Sequence, residues 1–535
     1  MKFLTKIVRA FALCAPLVAC QSSDPVVNLG YAQYRGVTNA SIGVTSYYGI
    51  RYAQPPIGDL RWQPPMDIEA RNTYNPSTVM NATSHGPICV QGTPYWRLAN
   101  GSMLTAPLGD EDCLLLDVSV PRIPASSNLP VMVQIHGGGY TQGSSSSYPG
   151  YSLVNQSAGG LVYVAIQYRL SAFGFLSSTE IRENGVANAG LLDQRAALAW
   201  VQRNIRSFGG DPSKVTIIGG SAGGCGSVMN QMILYGGVAN PPFRAVVAEY
   251  PWWQPYHNNT VLEDQYRELL AATNCTNLQC LRSIDPAVLH LASQATYITG
   301  YMAQPGMNYG YGDFYYGPSV DGNIIRDLPS NEFKQGHFTK VPLLVDREGY
   351  EGARFSNKSE TTMAEETADF QTLFPYAKQS FFDRLYELYP TSNFNATFWQ
   401  RQSIFGDFII NCPTYYMSTA VSDWGLPVWK MIFNAGSQLH GATVPFLFET
   451  NATLNNNATL ALIMKDYFIS FAVNLDPNSV SYSATPKPYW PAYQVGSSMN
   501  VTVMDVNYTM MGVVGDFDAS AQCDYFHGQS YAVRN

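Results

Sequence analysis

Short apolar runs recur along the chain at Pro130–Ile135, Leu161–Ile166, Val215–Ile218, Arg244–Ala248, Val341–Val345 and Val428–Phe433. Runs of this length, without polar alternation, predict strands buried on both faces. Helical patterns lie among them. Leu191–Phe208 reads as an amphipathic helix, stopped by Gly209-Gly210-Asp211-Pro212. Gly223 to about Tyr235 reads as a second helix, its small residues giving way to Val228, Met229, Met232, Ile233 and Leu234. Strands alternating with helices predict an α/β architecture: a large, mostly parallel central sheet with helices on both faces. The alternation lapses from about Trp252 to Lys334, where the pattern becomes helical and aromatic. Tyr48–Pro65 carries Pro55, Pro56, Pro64 and Pro65, which predicts an ordered loop lying on the body. With no repeat and no Pro/Ser-rich linker, residues 21–535 read as one domain with long helical and loop insertions.

Composition narrows the class. A 46% hydrophobic, 13% charged chain of 535 residues is a folded one, not a disordered one. A net charge of −8 with no basic run argues against nucleic acid and anionic membrane surfaces as partners. Residues 1–20 read as a secretory signal peptide: Lys2, Lys6 and Arg9 precede the apolar Ala10–Ala19. Leu17-Val18-Ala19-Cys20 also has the form of a bacterial lipoprotein box. The N-x-S/T triplets at Asn39, Asn81, Asn100, Asn155, Asn258, Asn274, Asn357, Asn395, Asn451, Asn457, Asn500 and Asn507 favour a secreted glycoprotein instead. No apolar C-terminal tail suggests a stable membrane anchor. Seven of the nine cysteines lie beyond the targeting segment, so one is left unpaired, and Cys225 is the candidate.

The chemistry centres on Gly219-Gly220-Ser221-Ala222-Gly223, a G-x-S-x-G set between a strand and a helix. Such a turn lifts a serine hydroxyl clear of the backbone at a helix N-terminus, where a developing anion is favoured. A neutral serine needs a base. His440, just past the Val428–Phe433 strand, is placed at the edge where α/β sheets gather their active sites. An acid must orient that imidazole; Asp346, Glu348 and Glu351 all follow a strand, and the pattern leaves the three open. His136-Gly137-Gly138-Gly139 after another strand suits an oxyanion hole. It lacks the Lys-Ser/Thr of a phosphate-binding loop.

Taken together, these motifs resemble the type-B carboxylesterase/lipase family, which includes fungal lipases and cholinesterases, over nearly the whole chain. The resemblance extends to Gly49–Pro65, Glu111–Val118, Gln167-Tyr168-Arg169-Leu170, Asn188–Gln194 and Asn204–Pro212. It implies the α/β-hydrolase fold and a serine esterase that works on a small-molecule or lipid ester with no cofactor and no metal. Its acid motif maps onto Glu351-Gly352 with Phe355 and so implies a Ser221–Glu351–His440 triad, with Glu348-Gly349 in the wrong register. Backbone N–H groups of Gly138, Gly139 and Ala222 would be the oxyanion donors, and Cys89–Cys113, Cys275–Cys280 and Cys412–Cys523 the disulfides. The chain departs from the family at Tyr350, which replaces an acid, and at Gly220, where the family carries glutamate. It departs again at Glu249-Tyr250, where the family has Ser-Gly, and at Trp96, set too near Cys89 to match the choline-cradling aromatic of cholinesterases. An aromatic, feruloyl-type ester is suggested by Trp252-Trp253 and by Tyr309, Tyr311, Tyr315 and Tyr316. An inactive binding or adhesion module is the contrasting class, but inactive members lose the serine or the histidine and this chain keeps both.

Overall fold

The computed structural model describes residues 24–71, 74–98, 108–302, 309–449, 457–494 and 501–535. The signal segment 1–20, the triplets at Asn100, Asn451 and Asn500 and the Cys225 side chain lie outside the described set. The strands are β1 (Val26–Asn28), β2 (Gln33–Arg35), β3 (Val37–Asn39), β4 (Val44–Arg51), β5 (Val79–Asn81), β6 (Leu115–Pro121), β7 (Leu129–Ile135), β8 (Val162–Ile166), β9 (Gly210–Ser221), β10 (Ala245–Pro251), β11 (Leu343–Glu348), β12 (Val428–Phe433), β13 (Thr502–Val506) and β14 (Met511–Gly515). β1, β2 and β5 form a small separate sheet. The other eleven form one sheet in the order β14-β13-β12-β11-β10-β9-β7-β8-β6-β4-β3. Its centre, from β8 across to β13, is parallel. β14 on one side and β6, β4 and β3 on the other run antiparallel.

The apolar runs lack alternation because both faces are covered. Every residue of β7, β8, β10, β11 and β12 is buried. β9 sends Val215 and Ile217 into one core and Ile218 into the other. The helix Ala189–Asn204 supplies Leu191, Leu198, Trp200 and Val201 to the first core, and the helix Ala458–Asn474 supplies Leu460 to Phe471 to the second. Two expectations shift. β4 takes Tyr48–Arg51 out of the expected loop, pairing with β6 across a bulge where Gly49 has φ +65°. β11 begins two residues later than its apolar run and carries Asp346, Arg347 and Glu348 into the sheet.

Three disulfides join Cys89–Cys113, Cys275–Cys280 and Cys412–Cys523, across 24, 5 and 111 residues. The last ties the helix Cys412–Asp423 to the C-terminal helix Ala521–Gly528. Closing so long a loop restricts the unfolded chain and contributes about 5 kcal/mol in the entropic description. Buried ion pairs fasten the same region: Arg347 of β11 to Asp518 (2.6 Å), and Lys430 of β12 to Asp516 (2.7 Å) and Asp518 (2.8 Å). Each charge has a partner at hydrogen-bond distance, which its burial requires.

Candidate active site

The site assembles at the carboxyl ends of the parallel strands, Ser221 closing β9, Glu351 following β11 and His440 following β12. At Ser221 the backbone turns sharply, with φ 60° and ψ −132°, a conformation costly for any residue but glycine. The chain then enters a wide, π-helical winding over Ala222–Met229 before tightening at Asn230–Ile233. Neighbouring glycines make the turn possible. A Cβ on Gly219 would stand 2.6 Å from the Ile135 carbonyl, and one on Gly223 would stand 2.2 Å from it.

Ser221 Oγ lies 2.8 Å from His440 Nε2, and His440 Nδ1 lies 2.6 Å from Glu351 Oε2. The pattern is that of an imidazole donating from Nδ1 to the carboxylate and accepting the serine proton at Nε2. Glu351 Oε1 accepts the Glu348 backbone N–H at 2.7 Å, which locks the carboxylate. The other two acids make no hydrogen bond to His440, although the Glu348 side chain reaches Glu351. Glu348 Oε1 accepts from the Thr443 N–H and hydroxyl, both at 3.2 Å, and Asp346 Oδ1 accepts the Tyr250 N–H at 3.0 Å. Tyr350, in place of the family's acid, is exposed, and its N–H donates to Gln438 O at 2.8 Å, joining the acid-bearing loop to the histidine-bearing one.

The glycine run abuts the serine: a Cβ on Gly137 would stand 3.1 Å from Ser221 Cβ. Gly138 and Gly139 have φ +112° and +65°, and a Cβ on either would meet Gln142 O or the Phe314 ring at 2.2 Å. Both positions therefore require glycine. His136, buried behind them, stacks on Tyr168 at 4.5 Å; burial pushes its imidazole down to about 4. Glu348, Glu351 and His440 bring ligand-type atoms within 4.8 Å of one another, but both His440 nitrogens are already engaged, with Glu351 and with Ser221.

Burial drives the pair toward neutrality, His440 down to about 3 and Glu351 up to about 7. The Arg354 guanidinium acts on both in one direction, disfavouring the added proton on His440 and on Glu351 alike. A charge that resists protonation of the pair keeps the base competent to lower pH. Arg354→Gln is therefore expected to move the acid limb of kcat/KM upward by about half a pH unit, leaving the alkaline plateau in place. An acid limb that stays or moves down contradicts this.

Sequence reasoning did not anticipate the aromatic wall. Tyr250, Phe355 and Trp252 pack edge-on against the His440 ring at 4.9, 5.0 and 5.9 Å. Phe314 and Phe405 back Trp252, and Trp96 joins Phe314 and Phe355 at 5.8 and 6.0 Å. Of the aromatics that suggest an aromatic ester, Trp252 and Tyr311 belong to this wall. Trp253 stacks on Phe333, and Tyr309, Tyr315 and Tyr316 pack around Tyr297 and one another in the core.

The paired departures at Gly220 and Glu249-Tyr250 are one change. A Cβ on Gly220 would meet the Tyr250 hydroxyl at 2.1 Å and its ring at 2.3 Å, so the tyrosine occupies the space of the family's glutamate. Tyr250 reaches it with φ 34°, at the position where the family has glycine. Glu249 is buried beside Asp346 and Glu348 and shares the Thr443 hydroxyl with Glu348. Burial and mutual repulsion push all three acids up, which disfavours the charged form of each. The sequence signal is the co-occurrence of these departures, one removing a carboxylate near the serine and the other adding one.

Residues 23–526 match the model of the carboxylesterase family. Among curated relatives, the carboxylesterase patB of Aspergillus clavatus is 29% identical over 95% of this chain and 96% of its own. Lipase 2 of Geotrichum candidum is 32% identical over 86% of this chain and 88% of its own. Of solved structures, Aspergillus niger EstA superposes with a TM-score of 0.83 at 29% identity, covering 96% of this chain and 99% of that one.

Proposed function

The chain belongs to the carboxylesterase family and is a carboxylic ester hydrolase; we propose that it works through a Ser221–His440–Glu351 triad. The observation that carries this is the unbroken contact from Ser221 Oγ to His440 to Glu351, at 2.8 and 2.6 Å. Ser221 Oγ adds to the ester carbonyl carbon while its proton passes to His440 Nε2. Glu351 holds Nδ1–H and stabilises the imidazolium. The carbonyl oxygen, now negative, sits toward the N–H groups of Gly138, Gly139 and Ala222; one such donor is worth about 3–4 kcal/mol in the transition state. The bond to the alcohol oxygen breaks as Nε2 returns the proton to it. Water then repeats the sequence on the acyl-enzyme.

The named relatives divide between carboxylesterases and lipases. Small and medium soluble esters are the class this reading puts first, with triacylglycerol and aromatic esters as the contenders. The test is hydrolysis of nitrophenyl esters of rising chain length beside a triglyceride emulsion and a choline ester. Turnover that peaks on short chains and is absent on the emulsion supports the reading; a preference for the emulsion makes the protein a lipase.

Residues 21–535 would be one catalytic domain, exported by the segment 1–20. Support comes from relatives named as secreted lipases and from Asn39, Asn81, Asn155, Asn274 and Asn395, each exposed in an N-x-S/T triplet. Among the described residues no helix is long and apolar enough to cross a membrane. The protein from culture medium should migrate above its 58.9 kDa chain mass and drop on deglycosylation. A band that does not move contradicts the glycoprotein reading.

A further inference from the structure

An open recess of about 680 Å³ adjoins His440, lined by Trp96, Arg97, Tyr311, Arg354, Lys358 and Leu439 among others. Two members of the aromatic wall, Trp96 and Tyr311, line it. The Arg97 guanidinium lies 4.9 Å over the Trp96 ring and 5.6 Å over the Phe314 ring, and Phe314 is the residue that presses on Gly139. On the far side, Arg354 belongs to the short turn Ala353–Phe355, whose Phe355 ring packs on His440. Both guanidinium groups are close enough to the imidazole to resist its protonation, and Arg354 in turn bears on Arg97.

None of Arg97, Arg354 and Lys358 forms an ion pair with a carboxylate among the described residues, and every Asp and Glu of the chain falls within those residues. Of the acids on this wall, Asp369 is paired with Arg401 at 2.6 Å, and burial pushes Glu360 up to about 7. Three unneutralised cations beside one site are not a general property of a chain whose net charge is −8. Arg97, Arg354 and Lys358 are all exposed around one recess; an anion among them relieves their mutual repulsion, and a guanidinium matches a carboxylate in two-pronged geometry.

We propose that the ester this enzyme accepts carries an ionised carboxylate away from the reacting carbonyl, held in the recess by Arg97 and Arg354 with Lys358 nearby. The proposal rests on the ester-hydrolase reading. It adds to it the charge of the substrate class: an apolar or aromatic ester body lying on Trp96 and Tyr311, with its anion at the two arginines. A quaternary ammonium in the same place would meet like charge, which separates this recess from a choline site.

Matched substrate pairs test it at pH 8. The acyl side is probed by the 4-nitrophenyl hemiester of glutaric acid against 4-nitrophenyl pentanoate, and the alcohol side by 4-acetoxybenzoate against 4-acetoxybenzamide. In one pair kcat/KM is expected to favour the anion by about tenfold or more, a charge-assisted contact's worth. Arg97→Gln with Arg354→Gln should bring the anion-to-neutral ratio of kcat/KM to about one, whatever it does to the absolute rates, and added salt should weaken the wild-type preference. The pair that responds identifies the side bearing the anion. A wild type that prefers the neutral ester in both pairs, or a preference that survives the double substitution, overturns the proposal. Failure to hydrolyse any of the four strikes at the hydrolase reading instead. Calorimetry of 4-acetoxybenzoate and 4-acetoxybenzamide on Ser221→Ala then decides the anion question without turnover: equal affinities would overturn it.

Discussion

Glu351→Gln is expected to lower kcat by about 10⁴-fold while Glu348→Gln, three residues away, changes it only a few-fold. An amide at position 351 can present its NH₂ to His440 Nδ1 and so favour the tautomer with the proton on Nε2, which cannot accept from Ser221 Oγ at 2.8 Å. Glu348 is different in what it touches. Its side chain takes two 3.2 Å bonds from Thr443, and it serves Glu351 through its backbone N–H, which a substitution keeps, and through a side-chain contact that an amide NH₂ can replace. Burial and the neighbouring Glu351 push the Glu348 carboxyl up toward its neutral form, which an amide of the same shape resembles. Both variants should be compared with a soluble nitrophenyl ester after circular dichroism shows them folded. The reverse ranking would move the acid to Glu348, and equal severe losses would mean that the turn acts as one structural piece.

Installing the family's residue before the serine should be nearly as damaging. Gly220→Glu places a Cβ 2.1 Å from the Tyr250 hydroxyl, so the tyrosine, packed on His440 at 4.9 Å, has to move. A displacement of about 1 Å at a catalytic group costs on the order of 100-fold in rate. Tyr250→Gly vacates that space and relieves the positive φ of a bulky residue, a strain of about 1–3 kcal/mol. The double variant is therefore expected to recover most of the activity lost by Gly220→Glu alone. A double variant that is merely the sum of two losses would show that the positions are not coupled.

Much of this was legible in the chain because the chemistry is local there. The apolar runs that became β7, β8, β9 and β12 are buried on both faces, and burial on both faces is what continuous Val/Ile/Leu runs record. Gly219, Gly223 and Gly138 stand where backbone atoms approach too closely for any side chain, and Gly139 where the Phe314 ring does, so the motifs carry their own geometric reason. What periodicity could not supply was contact between distant segments. Asp346, Glu348 and Glu351 look equivalent as acids following a strand, and only the path of β11 turns the last of them toward His440. β4 was hidden by its prolines, which begin just beyond its paired residues. The exchange between Gly220 and Tyr250 is invisible until β9 and β10 lie side by side with Glu249 opposite Gly220. The cationic recess joins Arg97 to Arg354 from distant parts of the chain, and no one-dimensional pattern brings them together.

The central claim is that Ser221 is the nucleophile of an acyl-enzyme. An organophosphate, followed by proteolysis and mass spectrometry, should leave one phosphoryl adduct per chain on the peptide bearing Ser221, with activity lost in step. Ser221→Ala, folded, should carry no adduct and have no turnover above background. An adduct elsewhere in the wild type, or labelling and hydrolysis that persist in Ser221→Ala, would contradict the account.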